Sequence, residues 1–474
     1  MFLLGAALSL TPFESHDLWW HLRTGRLILQ HGWPPTRNLF SFTAPDHPWV
    51  AHEWLSEALF AAIHDHLGPG ALVALKALVI GAVFAVVAQT GLRESGRAWC
   101  AAAAAAAGAS AARFTFDIRP QILTYLMLAA CLHLIRRHRD TGGREALLLV
   151  PLFWAWANLH SGFVAGLAAL ALATLTMPKR RASLLVALLL SAGVSLVTPN
   201  HWRGLWFPLE VSRVALFTDT LTEWFSPNFH SPWLWGFEAL LLATVVLLAA
   251  SPVRPSLFDL GLLVAFGHLS LQHQRHVPLF AVAAAPVLAR HLAALAAERV
   301  PAVPLSPSVS AAARWTPAVA AMLLLIGWLP RGDAFARTVR RDTFPVAAAT
   351  YLGTQPPLRM CNSYRWGGYL VWRLYPRQRV FIDGRADAYP QAVLRDYLTV
   401  ERLEPGWRGV LDRYRIDTVV YHRGSGLCAA LGNDPGWRLA HRDTVAEVYA
   451  RAPRGEPPGV DSPRQAVLRS GHAD

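Results

Sequence analysis

The sequence predicts a mainly α protein. It should be a polytopic membrane helical bundle of about eleven spans, followed by a small C-terminal extracytoplasmic α/β domain. Three observations carry this expectation. Hydrophobic residues fill 53% of the 474 positions and charged residues only 16%, against roughly a quarter charged in a soluble domain. Apolar runs separated by short polar connections recur from residue 70 to residue 330. Beyond residue 330 Asp, Arg and Tyr become frequent, and the runs shorten into a strand-and-helix pattern.

Residues 1–13 are apolar but shorter than the roughly 20 residues a spanning helix needs. Either this helix borrows from the polar turn that follows, or the true N-terminus lies upstream of Met1. The segment lacks a basic leader and a small-residue cleavage site, so it does not read as a cleaved signal. Residues 14–68 form a first external loop that is too polar to span and rich in Trp. Asp17, His21 and Thr24 recur there at helical spacing, so one helix face carries all three. A second short helix around Glu53 and Glu57, with His52 beside it, is expected to lie on the bilayer and present its acids at the surface.

Further spans are expected at 70–91, 99–115, 120–135, 146–159, 162–177, 183–198, 232–251, 256–271, 277–297 and 315–330. The inner connections hold RESGR, RRHRDTGGRE, PKRR, Arg254 and the segment with Arg290, Arg299 and Arg314, all basic. The outer ones, FDIRP, NLHSG, TPNHWRG through NFHSP, and QHQRHVP, are richer in His, Asn, Asp and Trp. This asymmetry obeys the positive-inside rule and accounts for a net charge of +13 without a nucleic-acid partner.

The chain thus divides into a transmembrane domain over 1–330, an extracytoplasmic α/β domain over 331–455, and a Pro/Gly-rich disordered tail over 456–474. Helices are expected at 344–353, 366–374 and 391–403, and strands at 358–361, 379–383, 417–422 and 444–450. Residues 300–314 form a cytoplasmic loop. Of the four cysteines, Cys100 and Cys131 lie in apolar runs, while Cys361 and Cys428 share the extracytoplasmic region and have the opportunity to pair.

The run D-L-W-W-H-L-R-T-G-R-L-I-L-Q-H-G-W-P, then F-S-F-T, then P-W-V-A-H-E-W-L, resembles the first external loop of the GT-C superfamily. These are polytopic glycosyltransferases that use polyprenyl-phosphate-linked sugars, such as the protein O-mannosyltransferase and aminoarabinose transferase types. The likeness covers roughly the first 330 residues in architecture, but in motif only this loop and a few later positions. Trp19, Trp20 and His52-Glu53 resemble a bacterial branch of the superfamily.

The resemblance implies a GT-C-like fold in the bacterial inner (plasma) membrane. It also implies transfer of a sugar from a polyprenyl-phosphate donor to an envelope acceptor on the extracytoplasmic face. Membrane lipid is then a partner, and the catalytic acid just after the first span is Asp17.

Asp17 equally suits the N-cap of its helix. Asp117, in the short turn between the third and fourth spans, stands where superfamily members often carry another acid. Arg119 follows just before Pro120, so the chain is expected to be extended, with both side chains pointing one way. Glu53 completes the candidate catalytic set. His52 stands where relatives hold Lys, so its charge depends on pH; the alternative for this pair is a solvated helix face. Arg275 suits a phosphate, with His21, His160 and His52 completing the substrate-binding set beside Arg119. Glu223, Trp224 and Asn200 are expected to shape the cavity.

No H-E-x-x-H or equivalent is present, so no metal and no other cofactor is assigned, although superfamily members differ in metal use. NSYRWGGYLVWRL and FIDGRADAY suit either acceptor recognition or maintenance of the fold. Two other functions stay open: a lipid-linked substrate transporter or flippase, against which stands the lack of an internal repeat, and a non-enzymatic envelope-binding scaffold.

Overall fold

The computed structural model describes residues 1–297, 319, 323 and 342–452. The span expected at 315–330, the loop at 300–314 and the tail at 456–474 lie outside the described residues, apart from the two isolated positions. Two compact units emerge, and the division is not a single cut. The first comprises residues 1–39, 46–297 and 385–388, and the second residues 40–45, 342–384 and 389–452.

The first unit is all helical. Its helices are α1 (Phe2–Ser9), α2 (Leu18–His31), α3 (Trp54–Leu67), α4 (Pro69–Ser95), α5 (Ala98–Ala112), α6 (Gln121–Thr141) and α7 (Leu149–Leu159). There follow α8 (Phe163–Thr176), α9 (Arg181–Val194), α10 (Trp202–Ser212), α11 (Ala215–Thr220), α12 (Trp235–Ala250), α13 (Leu257–Gln272) and α14 (Val277–Ala296). A helix stands at every apolar run expected between residues 70 and 297.

Among the described residues three stretches are long and apolar enough to cross a membrane: Pro69–Ser95, Pro232–Ala250 and Gln274–Ala296. α8 and α13 are apolar but shorter, at 14 and 16 residues. Leu189, Leu242, Val245, Val246 and Val264 are exposed on α9, α12 and α13. An apolar surface of this kind is what lipid contact requires of a helical bundle.

The two sets of connections gather separately. At one set of helix ends Arg139 pairs with Glu94 at 2.8 Å, and Arg136 pairs with Asp259 at 2.8 Å. The connections expected to be outer meet at a different cluster, described below.

α2 and α3 form a close pair. Gly25 makes it possible: a Cβ there would run into the Glu57 carbonyl and the Ala61 methyl. Gly32, at φ +74°, closes α2 in the left-handed conformation that glycine adopts without penalty. α3 does not present its acids at the surface as expected, because Glu57 is buried with Ser56, Phe60 and Ala61, and Glu53 is only 12% exposed.

The second unit holds α15 (Val346–Thr354), β1 (Met360–Asn362), α16 (Tyr364–Leu374), α17 (Gln391–Glu401), α18 (Trp407–Arg413), β2 (Thr418–His422), α19 (Gly426–Gly432), β3 (Trp437–Arg442) and β4 (Ala446–Arg451). Its sheet has the order β1-β2-β4-β3, with β1 and β2 parallel and the other pairs antiparallel. Residues 379–383, expected as a strand, make only isolated bridges, of Val380 to Ser41 and of Arg379 to Arg359. Asn362 takes the place of a ladder there, donating to the Ile382 carbonyl at 2.8 Å and accepting from Phe381 N–H at 2.9 Å.

Trp366 is wholly buried and donates to the Thr343 carbonyl at 3.0 Å. Gly367 lets α16 approach the backbone of Ile382 and Asp383. Cys361 and Cys428 do not pair; both are free and buried, and the Cys428 thiol lies 3.3 Å from the His422 carbonyl.

Gly25→Ala tests the α2–α3 approach. The added methyl should force the helices apart and cost about 1–3 kcal/mol, measured as a lowered unfolding midpoint in detergent. An unchanged midpoint would mean that the pair is not closely packed at this point.

Candidate active site

The site is built from residues on six connections of the first unit and on α2. Asp17 occupies the N-cap position of α2, yet its side chain makes no capping bond. It accepts from Trp20 Nε1 at 3.2 Å and pairs with Arg119. The carboxylate has therefore been drawn away from the helix terminus it was equally suited to cap.

Arg119 does not stop at Asp17. Its Nη1 donates to Glu223 Oε2 at 2.9 Å, and Glu223 Oε1 accepts from Arg275 Nη1 at 3.0 Å. The Arg275 guanidinium also lies 4.5 Å above the Trp224 ring. The result is an alternating row, Asp17–Arg119–Glu223–Arg275. The turn Thr222–Trp224 is held in register by the 273–276 segment: Gln274 N–H donates to the Phe225 carbonyl, and His273 Nδ1 lies 2.6 Å from the Trp224 carbonyl.

Side chains along the row keep 18 to 31% of their surface exposed, so a ligand can reach them. Burial pushes the Glu223 carboxyl up, but Arg275 and Arg119 outweigh it and hold the group at about 2. Asp17 goes the other way. Burial raises it above the ordinary carboxylate range, opposed by Arg119 and reinforced by the charge of Glu223.

Beside the row, Glu53 is a hub for three imidazoles. His160 Nε2 is 3.2 Å from its Oε1, His52 Nε2 3.5 Å from the same oxygen, and His21 Nε2 3.6 Å from Oε2. The His160 tautomer follows from its other nitrogen. The Gly162 N–H donates to Nδ1 at 2.8 Å, so the ring proton must sit on Nε2, toward Glu53. Thr124, which takes the Trp156 indole N–H at 2.9 Å, backs the same ring.

Burial lowers His160 to about 4 and His21 to about 3, despite the charge of Glu53. His52 differs: burial works against its charge, but Glu53 outweighs this and raises it. Its Nδ1 points to the Val50 carbonyl at 3.2 Å, so both ring nitrogens face acceptors, as an imidazolium requires. Burial alone would raise Glu53, yet His52 and the other two rings hold it below its usual range.

The structure thus gathers Asp17, His21, His52, Glu53, Arg119, His160 and Arg275. It does not bring Asp117 into the group. The chain over 116–119 bends, with Asp117 N–H bonded to the Thr115 carbonyl and Arg119 N–H to the Asp117 carbonyl. The extended geometry expected before Pro120 is absent, and the two side chains part. Asp117 accepts from Ile118 N–H at 2.7 Å, and the largest charge acting on it is that of Lys76, with Arg119 second. Nor are His52 and Glu53 a solvated helix face, at 18 and 12% side-chain exposure.

Glu223 is more central than its expected role in shaping the cavity. Glu57 was legible only as an acid one turn beyond Glu53. Asn200 donates to the Ala51 carbonyl at 3.0 Å, tying the two loops. Arg385 and Asp387 of the FIDGRADAY segment belong to this unit, with Arg385 4.6 Å over the Trp49 ring and bonded to Asn38. Among the described residues no group of three or more His, Cys, Asp or Glu is arranged to hold a metal ion.

No protein-family model and no curated sequence matches the chain. Solved structures do. ArnT from Cupriavidus metallidurans bound to undecaprenyl phosphate superposes with a TM-score of 0.51 at 15% identity, over 96% of this chain and 97% of that one. The chain has a GT-C fold. The archaeal oligosaccharyltransferase AglB from Archaeoglobus fulgidus, in complex with an inhibitory peptide and a dolichol-phosphate, matches with a TM-score of 0.53 at 12% identity. That match covers 96% of this chain and 74% of that one. Likeness at this identity concerns the GT-C fold itself.

The lowered His21 and His160 make a sign prediction. Between pH 6 and 4 the unfolded chain binds protons on both rings while the folded protein refuses them, so these two rings contribute a loss of stability as pH falls, opposed by the raised carboxyls of Asp17 and Glu57. His52, raised by Glu53, contributes in the opposite sense, gaining stability as pH falls through its unfolded value. Going from pH 6 to pH 4, the unfolding midpoint in detergent should shift less toward destabilisation for His160→Gln than for the wild type. Equal slopes for the two proteins would contradict the assignment of His160.

Proposed function

We propose that the protein is an integral-membrane glycosyltransferase that moves a sugar from a polyprenyl-phosphate donor to a hydroxyl of an envelope acceptor, on the extracytoplasmic face. The reading is carried by one observation. A carboxylate raised by burial, Asp17, stands at the head of a row containing two arginines, Arg119 and Arg275, all partly open to a ligand. The GT-C fold supports it, and ArnT in that fold is bound to undecaprenyl phosphate.

In this reading the acceptor oxygen attacks the anomeric carbon, and the bond from that carbon to the phosphate oxygen breaks. The phosphate leaves with the electron pair, and the acceptor proton passes to Asp17. Arg119 and Arg275 each keep guanidinium N–H groups beyond those used on Glu223 and Asp17, and these receive the phosphate oxygens. His52, charged by Glu53, adds a third cation. Glu53 and its imidazoles orient the acceptor and take the proton onward.

The test is to incubate purified protein with a panel of polyprenyl-phosphate sugars and follow release of the carrier phosphate. One donor should turn over, and Asp17→Asn should reduce turnover by about 10²–10⁴-fold while leaving the protein folded and inserted. Undiminished transfer by that variant would remove Asp17 from the mechanism.

A further inference from the structure

Glu57 is 1% exposed, on the buried face of α3. Its Oε1 lies 3.2 Å from His21 Nδ1, and that ring, itself 2% exposed, turns its Nε2 to Glu53 at 3.6 Å. The second oxygen, Oε2, has no hydrogen-bond partner and no access to solvent. An ionised carboxylate buried with one oxygen orphaned would carry a heavy desolvation cost. A carboxylic acid there loses far less, because its hydroxyl donates to the ring and only a carbonyl oxygen goes without.

The other charged groups acting on Glu57 are Glu53, Arg385 and Asp387. Two of the three are acids, and Arg385 is already engaged by Asn38 and stacked on Trp49. Trp20 closes the remaining side, its ring centroid 3.6 Å from that of His21. Among the described residues the two glutamates are the hydrogen-bonding and ion-pairing partners of His21, and Arg119, His52 and His160 act on it only through their charge.

The geometry points to Glu57 as a positioning residue that stays a carboxylic acid, donates its proton to His21 Nδ1 and so aims the His21 Nε2–H at Glu53. The three ring N–H groups then converge on one carboxylate: His21 on Oε2, and His52 and His160 on Oε1. Glu53 is thereby held ionised and fixed in direction. A neutral acid one turn along the helix does this because the ring spans the gap from Glu57 to Glu53. The role in turnover rests on the glycosyl-transfer reading; the protonation pattern does not.

Two variants separate these. Glu57→Gln keeps a donor for Nδ1 without any ionisable group, whereas Glu57→Met removes the donor at similar volume. Nitrogen-15 NMR of the histidine rings in the full-length, detergent-purified protein reads the tautomer, with His21→Asn identifying the signal. Wild type and Glu57→Gln should both show neutral His21 protonated on Nε2, and Glu57→Met should show mixed tautomers. Neutral His21 protonated on Nδ1, or an imidazolium, in the wild type would overturn the proposal.

In turnover, Glu57→Gln should stay close to wild type. Glu57→Met should lose about tenfold to a hundredfold in kcat with little change in KM. Equal impairment by Gln and Met would mean that the carboxylate charge itself is needed, which also contradicts the proposal. If Glu57→Met does not fold, the wild-type and Glu57→Gln spectra decide alone. Failure of every donor sugar to turn over would sink the glycosyl-transfer reading and leave the tautomer result standing.

Discussion

Everything at the site depends on Arg119 holding two carboxylates at once. Asp17 arrives from the start of α2 and Glu223 from a turn more than two hundred residues later. Neither segment has enough local structure to place a carboxylate by itself. A guanidinium offers several N–H donors in a rigid fork, so one side chain sets both positions and both directions. The bent backbone at 116–119 aims that fork, and Arg275 continues the line under cover of Trp224. Replacing Arg119 by a point charge on a flexible stem would keep the attraction and lose the geometry.

The charges around this row are close to balanced. Asp17, Glu53 and Glu223 supply three anions, against Arg119, Arg275 and an imidazolium at His52. His21, His160 and Glu57 are kept neutral by burial. Such a site avoids the large cost of an uncompensated buried charge, yet its cations remain partly exposed at the end where a ligand would enter. An arriving phosphate ester can share N–H groups with carboxylates already in place, without any arginine having to be ordered for it. Preorganisation of this kind is what electrostatic catalysis needs from a protein.

Much of this was legible in the sequence, for definable reasons. The positions of the helices follow from the lengths of apolar runs. The gathering of Asp17, His52-Glu53, Arg119, His160 and Arg275 follows from sorting connections by charge, since outer loops of one bundle must converge. What escaped were contacts fixed by backbone details. Asp117 points away because two successive turns bend the chain where Pro120 suggested an extended one. Glu57 reads as a surface acid until Gly25 brings α2 down on it. Glu223 was expected only to shape the cavity, since a lone acid in a long loop acquires its central role only from the arginines that meet it. In the second unit the β-rich run 379–383 lacks a ladder because Asn362 satisfies its backbone instead.

The coupling between Arg119 and Glu223 is the most direct measure of the central claim. A double-mutant cycle of Arg119→Met and Glu223→Gln, read as carrier-phosphate release and as the unfolding midpoint in detergent, isolates their interaction. A shared row predicts strong non-additivity, with a coupling of about 1–3 kcal/mol and little further loss in the double variant once Arg119 is gone. Strictly additive losses would mean that the two residues act independently, and the account of a single arginine organising the site would be wrong.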